Sequence, residues 1–242
     1  TEIMTTPGGG PTQLVCPGRE FSLKRPLVMG ILNVTPDSFS DGGALFSSSG
    51  LNVDALCGAA ESMVVAGASF LDIGGESTRP GALAVSEQEE MDRVLGAIAC
   101  IQGRFDVEIS LDTSTPKVML AGAAAGVGLI NDVRALSREG AMEAAATTGL
   151  PICLMHMQGD PLTMQAGPQY LNVLAEVTQF LEQRASACSE AGISRDRLIF
   201  DPGFGFGKTP QHNFALLKHL PEVVTLDRTT DVAEKFPGRA RA

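Results

Sequence analysis

The chain has 242 residues, a formal net charge of −10, 44% hydrophobic residues and 19% charged ones. That balance describes a globular protein with room for a sizeable core, as one large domain or two small ones. With no basic run beyond the arginines at 239–241, it argues against a nucleic-acid surface, where neutralising phosphates requires clustered Lys and Arg.

Residues 1–13 lack the basic stretch and apolar segment of a secretory signal, and the run Gly8-Gly9-Gly10 predicts a disordered leader. Two short apolar segments around Pro17-Gly18 predict a β-hairpin. From residue 27 onward the pattern becomes regular. Apolar runs at 27–32, 69–73, 107–111, 127–130, 152–155 and 198–200 are short and rich in Val, Ile and Leu, as parallel strands buried on both faces are. None approaches the roughly 18 residues of a membrane span.

Helical stretches with recognisable starts lie between these runs. Ser86-Glu87-Gln88-Glu89 reads as a capping box ahead of Met91, Val94, Leu95 and Ile98 on one helical face. Thr115-Pro116 and Thr209-Pro210 each place a cap residue before a first-turn proline. Leu174, Val177, Leu181 and Cys188 recur at helical spacing, and Gly192 marks the end of that helix. Six βα units in series predict an α/β fold, either a doubly wound sheet or a (β/α)8 barrel. The five cysteines (Cys16, Cys57, Cys100, Cys153, Cys188) are scattered and show no C-x-x-C pair, which suits a reducing cytoplasm better than a disulfide scaffold.

Polar residues stand where each predicted strand ends: Asn33, Asp72, Asp112, Asn131-Asp132, His156 and Asp201. In parallel β/α folds these ends open onto one face, where ligands bind. Taken singly, such an Asp is more often a helix cap or turn residue. Six in succession point to a site. Asp112, Asn131 and Asp201 offer carboxylates and an amide, a set suited to a flat heterocycle bearing an amino group and a lactam. Arg79 reads either as an anion contact from a loop or, more commonly on spacing alone, as a solvated loop arginine. His156, between two methionines, reads as a core histidine rather than a metal ligand. The segment 201–209 ends in Gly-Lys-Thr, but Pro202 occupies the position where a nucleotide-binding phosphate loop needs its first glycine, so that reading fails.

Longer motifs are more specific. Met29-Gly30-Ile31-Leu32-Asn33-Val34-Thr35-Pro36-Asp37-Ser38-Phe39-Ser40-Asp41-Gly42-Gly43 and Asp72-Ile73-Gly74-Gly75-Glu76-Ser77-Thr78-Arg79-Pro80-Gly81 resemble the two signatures of the dihydropteroate synthase family. Ser110-Leu111-Asp112-Thr113-Ser114, Ile130-Asn131-Asp132-Val133-Arg134, Leu154-Met155-His156-Met157-Gln158-Gly159 and 201–209 resemble its later segments, in family order. The resemblance covers 14–226. It implies a (β/α)8 barrel in which Asp112, Asn131 and Asp201 hydrogen-bond a pterin and Asn33 binds Mg2+ on the leaving diphosphate. Thr78 and Arg79 would belong to a loop that closes over the site, while Phe39, Pro80 and Phe206 would shape a p-aminobenzoate pocket in which sulfonamides compete.

The implied reaction condenses 6-hydroxymethyl-7,8-dihydropterin diphosphate with p-aminobenzoate. The implied setting is a cytoplasmic homodimer with no nucleic-acid or membrane partner. The family continues into Ser-Arg-Lys and Arg-x-His segments that 227–242, a divergent tail, does not match. The expectation is therefore an incomplete barrel of about six βα units with little turnover. The alternatives are a non-catalytic pterin-binding fragment and, against the two signatures, a pterin-dependent methyltransferase domain.

Overall fold

A computed structural model of the chain describes residues 2–4, 13–35, 45–47, 50–77, 85–159, 164 and 167–224. The predicted tail at 227–242 and most of the predicted leader lie outside them. In chain order the elements are β1 (Glu2–Met4), β2 (Gln13–Cys16), β3 (Arg19–Ser22), β4 (Leu27–Asn33), β5 (Phe46–Ser47), β6 (Gly50–Leu51), α1 (Val53–Val65), β7 (Phe70–Gly74) and α2 (Glu87–Gln102). There follow β8 (Glu108–Asp112), α3 (Pro116–Ala124), β9 (Leu129–Asp132), α4 (Ala141–Thr148), β10 (Ile152–Met155), α5 (Val173–Glu190), β11 (Leu198–Asp201), α6 (Pro210–Lys218) and α7 (Leu220–Val224).

Six parallel strands form one sheet in the order β4-β7-β8-β9-β10-β11, which is the sequence of an opened β/α barrel. β4 and β11 end the parallel set and do not pair with each other. One expectation needs correcting here: Glu2–Met4 is not part of a disordered leader but a strand, antiparallel to β4 with Ile3 opposite Val28. It satisfies backbone groups that the first half of β4 would otherwise leave open at the sheet edge.

Period-two alternation sorts the sheet into two faces. Leu32, Leu71, Ile73, Ile109, Leu111, Ile130, Ile152 and Leu154 point outward and join the main core with the helices. The opposite face carries a second, smaller core. The predicted hairpin is present as β2 and β3, joined through Gly18 at φ +75°, and it lays Leu14, Cys16 and Phe21 against Met29, Phe70, Leu129 and Cys153. Phe21 and Phe70 stack with ring centroids 4.6 Å apart. The hairpin therefore plugs the N-terminal end of the inner face, which leaves the C-terminal end for polar residues.

The helix starts follow the sequence with two differences. Ser86 Oγ accepts from Glu89 N–H at 3.2 Å, but Glu89 turns to Arg93 (2.6 Å) instead of closing the predicted box. The reciprocal box forms at Thr209, whose hydroxyl accepts from His212 N–H while His212 Nδ1 accepts from Thr209 N–H, both at 3.2 Å. Thr115 caps α3 by backbone alone; its hydroxyl is turned away, donating to Glu90 at 2.6 Å and accepting from Arg138 at 2.8 Å.

Candidate functional site

Strand register lines up the site. Asn33 on β4, Gly74 on β7, Asp112 on β8 and Asn131 on β9 are consecutive partners across the sheet, all on the inner face. The row is kept close by the absence of a side chain at its centre. A Cβ on Gly74 would lie 3.1 Å from Asp112 Oδ2 and 3.4 Å from Asn33 Oδ1, so both oxygens border the space that Gly74 leaves open. Further round, Asn131 is level with Cys153, and Asp201 is level with Met155 on the same inner face. The sheet thus presents Asn33, Asp112, Asn131 and Asp201 together at its C-terminal end, as the sequence predicts.

Asp72 sits differently from expectation. β7 runs on to Gly74, so Asp72 is not at the strand end but one layer deeper, level with Ser110. It is 3% exposed and accepts from Asn131 Nδ2 at 3.0 Å. Burial pushes its carboxyl above the usual range, with the Ser110 and Asn131 side chains pulling the other way. At the other end of the same amide, Asn131 Oδ1 is buried without a hydrogen-bond partner.

Asn131 and Asp132 are adjacent in sequence but face opposite ways. Asp132 is fully buried on the helix side and organises the loop after β9. It accepts from Arg134 N–H and Leu136 N–H, both at 2.8 Å, and from the Ser114 hydroxyl. Burial raises its carboxyl, opposed by those three donors and by the Arg134 charge. The turn it holds contains Ala135 and Leu136 at φ +50° and +57°. Arg184 donates to both of their carbonyls, at 2.7 and 3.0 Å. Arg134 itself forks onto Glu76 at 3.0 and 3.2 Å. Burial works to lower the guanidinium's affinity for its proton, and Glu76, with the charges of Asp132 and Asp112, more than offsets it. A concavity lined by Val133, Arg134, Met155, Met157 and Phe180 opens beside this turn.

The loop after β11 is fastened below the mouth. Gly203 N–H donates to Asp201 Oδ1 at 2.7 Å. A Cβ on Gly203 would fall 2.0 Å from His156 O, and one on Gly207 2.7 Å from Gln158 O. This is the close backbone approach the glycines suggest. Lys208, 4% exposed, folds under the loop and donates to His156 O and Phe206 O at 3.2 and 2.9 Å. His156 is a buried histidine packed edge-on against Phe180, with ring centroids 5.0 Å apart. Phe206 is half-buried on this loop. Thr78, Arg79, Pro80 and Phe39 lie outside the described residues.

The sequence alone assigns no site role to Ser110, Met155 or Arg134, and Asp72 lies one layer deeper than its place in the chain suggests. The signal was available in the alternation: Asp72, Ser110, Asp112 and Asn131 share a parity across three paired strands.

The pterin binding enzyme family matches residues 29–233. Dihydropteroate synthase of Escherichia coli K12 is 52% identical over 210 residues, covering 87% of this chain and 73% of that protein. The Yersinia pestis dihydropteroate synthase solved in complex with a sulfonamide drug superposes with a TM-score of 0.83 at 51% identity, covering 89% of this chain and 76% of the other. The Xanthomonas albilineans dihydropteroate synthase solved with 4-aminobenzoic acid gives 0.77 at 47% identity, covering 88% and 74%. With its polar row standing at the C-terminal ends of a matching parallel sheet, the chain belongs to the dihydropteroate synthase family of pterin-binding enzymes.

Proposed function

We propose that this chain binds 6-hydroxymethyl-7,8-dihydropterin diphosphate at the row of Asn33, Asp112, Asn131 and Asp201 and joins it to p-aminobenzoate. The observation that carries the reading is the register of Asn33, Gly74, Asp112 and Asn131, which gathers hydrogen-bonding side chains of the right kinds on one face. Carboxylates accept from the ring N–H and amino groups of a pterin, and an amide oxygen accepts a further N–H. Asp201, oriented by Gly203 N–H, supplies one such acceptor from the far side of the mouth. Phe206, with Phe39 and Pro80, would form the wall against which the aminobenzoate ring lies, where sulfonamides compete. Thr78 and Arg79 would hold the anionic groups of the bound substrates.

Among the described residues no three His, Cys, Asp or Glu side chains are grouped to hold a metal. A magnesium ion that takes most of its oxygens from diphosphate and water needs only one or two protein oxygens, and Asn33 Oδ1, bordering the same open space as Asp112, fits that need. When bound, the ion neutralises charge on the leaving diphosphate. The bond from the pterin methylene carbon to the diphosphate oxygen breaks with its electron pair leaving on diphosphate, the aniline nitrogen bonds to that carbon, and the nitrogen's proton passes to the released diphosphate or to solvent. The protein's part is to orient the two rings and exclude water from the electrophilic carbon. No helix among the described residues is long and apolar enough to cross a membrane, and we place the reaction in the cytoplasm.

Incubating the chain with both substrates and Mg2+ tests this. The expected result is 7,8-dihydropteroate and diphosphate in equal amounts, with a sulfonamide competing against p-aminobenzoate. A folded chain that neither binds the pterin diphosphate nor forms product overturns the reading. Binding without product favours a non-catalytic pterin-binding protein.

A further inference from the structure

We propose that Asp72 is a positioning residue of the pterin site, which holds the amide of Asn131 so that its oxygen, not its nitrogen, faces the ligand. The proposal rests on the functional reading above and adds to it a group one layer below the polar row. Asn131 Nδ2 donates to Asp72 Oδ2 at 3.0 Å across the intervening strand β8. Both residues are buried, at 3% and 4% exposure, so this bond is shielded from water. At the other end of the same amide, Asn131 Oδ1 is buried and has no partner. An asparagine in a purely structural role satisfies both ends, because an unmet buried acceptor is costly. Here one end is clamped and the other is left as an unmet acceptor on the inner face, in register with Asp112. An amide is close to symmetric in shape, so packing alone distinguishes its two orientations poorly. A carboxylate beside it distinguishes them strongly, since it only accepts. Asp72 thereby selects a ligand that offers an N–H at this point over one that offers a carbonyl.

The substitution Asp72→Asn keeps the shape and removes the selection, because an amide at 72 can face Asn131 with either its donor or its acceptor. Calorimetry with 6-hydroxymethyl-7,8-dihydropterin diphosphate should show an affinity loss of about 10-fold, the scale of one weakened charged hydrogen bond. In an Asn131→Ala background the same substitution should change affinity less than about twofold, since there is no amide left to orient. A role in folding alone would give the same loss in both backgrounds, and that result overturns the proposal, as does unchanged affinity in Asp72→Asn. If Asp72→Asn does not fold, the unaltered chain decides by NMR. The Asn131 side-chain NH2 protons should be protected from exchange both without ligand and with the pterin diphosphate bound, because Asp72 holds them in either state. NH2 protons that exchange freely without ligand and become protected only when it binds would mean that the nitrogen faces the ligand, and the proposal falls. An unaltered chain that does not bind the pterin diphosphate overturns the functional reading and this role with it. An unaltered chain that binds while Asp72→Asn is indistinguishable from it overturns only the role of Asp72.

Discussion

Lys208 Nζ lies 3.0 Å from His156 Nδ1, in a pocket that also offers it the carbonyls of His156 and Phe206. An ammonium has no lone pair, so Nδ1 must accept, and the imidazole is neutral with its proton on Nε2. Burial first, and then the Lys208 charge, push the His156 pKa down to about 3. Burial likewise lowers Lys208 to about 8, against the pull of Asp201. This contact ties the end of β10 to the loop that carries Phe206, and so joins two walls of the site.

The pH dependence of stability follows from His156. Its folded pKa lies below its unfolded one, so between about 3 and 6.5 the unfolded chain binds the extra proton. Stability is therefore lost as pH falls through that window, by at most ~1.4 kcal/mol per pH unit from this one group. Asp72 and Asp132, whose folded carboxyls are raised by burial, act with the opposite sign. Comparing variants isolates the histidine. Urea unfolding of His156→Gln at pH 5 and pH 7 should show a smaller difference between the two than the unaltered chain shows. An equal difference would mean that His156 takes up its proton alike in the folded and unfolded chain, against the burial and the Lys208 charge that hold it low.

Removing the other partner is costly for a different reason. Lys208→Met fits the space but leaves His156 Nδ1 and two buried carbonyls unpaired, which should destabilise the protein by about 2–4 kcal/mol. Chemical denaturation reads this directly, and a loss under about 0.5 kcal/mol, the range of an ordinary surface substitution, would contradict the clamp.

Two glycines on the same loop make a controlled comparison. Gly203 and Gly205 both have positive φ, +69° and +83°. A Cβ on Gly203 would collide with His156 O, whereas one on Gly205 meets nothing within 4 Å. Gly205→Ala should cost about 1–2 kcal/mol from backbone strain alone. Gly203→Ala adds a steric overlap that only backbone movement relieves, for a total above roughly 3 kcal/mol. Equal melting temperatures for the two variants would contradict this reading of the loop.

Asp132→Ala removes three hydrogen bonds from a turn that already holds Ala135 and Leu136 at positive φ. A loss of about 3–5 kcal/mol is expected, since two buried backbone N–H groups lose their acceptor and the strained turn loses its anchor. The same change should leave the Asp72–Asn131 bond in place, because Asp132 faces the other side of the sheet. Amide hydrogen exchange would check both, with protection lost at Arg134 and Leu136 and kept on β7 and β8.

Much of this was legible in the chain itself. Each of the six apolar runs became a parallel strand within two residues of its expected bounds, because buried parallel strands leave an unbroken Val, Ile and Leu signature. Asn33, Asp112, Asn131 and Asp201 gather at one end because the topology puts every strand terminus there. The depth of Asp72 was not legible, since β7 continues through Ile73-Gly74 and only pairing with β8 reveals it. Nor was the strand at Glu2–Met4, whose three residues acquire meaning only from the open edge of β4. The opposed facing of Asn131 and Asp132 follows from strand alternation, once the register of β9 is known.

Calorimetric titration of the full chain with 6-hydroxymethyl-7,8-dihydropterin diphosphate and Mg2+, beside its Asp201→Asn variant, decides whether the polar row is a pterin site. The unaltered chain should bind, and Asp201→Asn, folded to the same extent, should bind more weakly by about 1.5–3 kcal/mol, roughly 10- to 150-fold, for the loss of a charged acceptor. Equal affinity in the two folded proteins, or no binding by the unaltered chain, would contradict it.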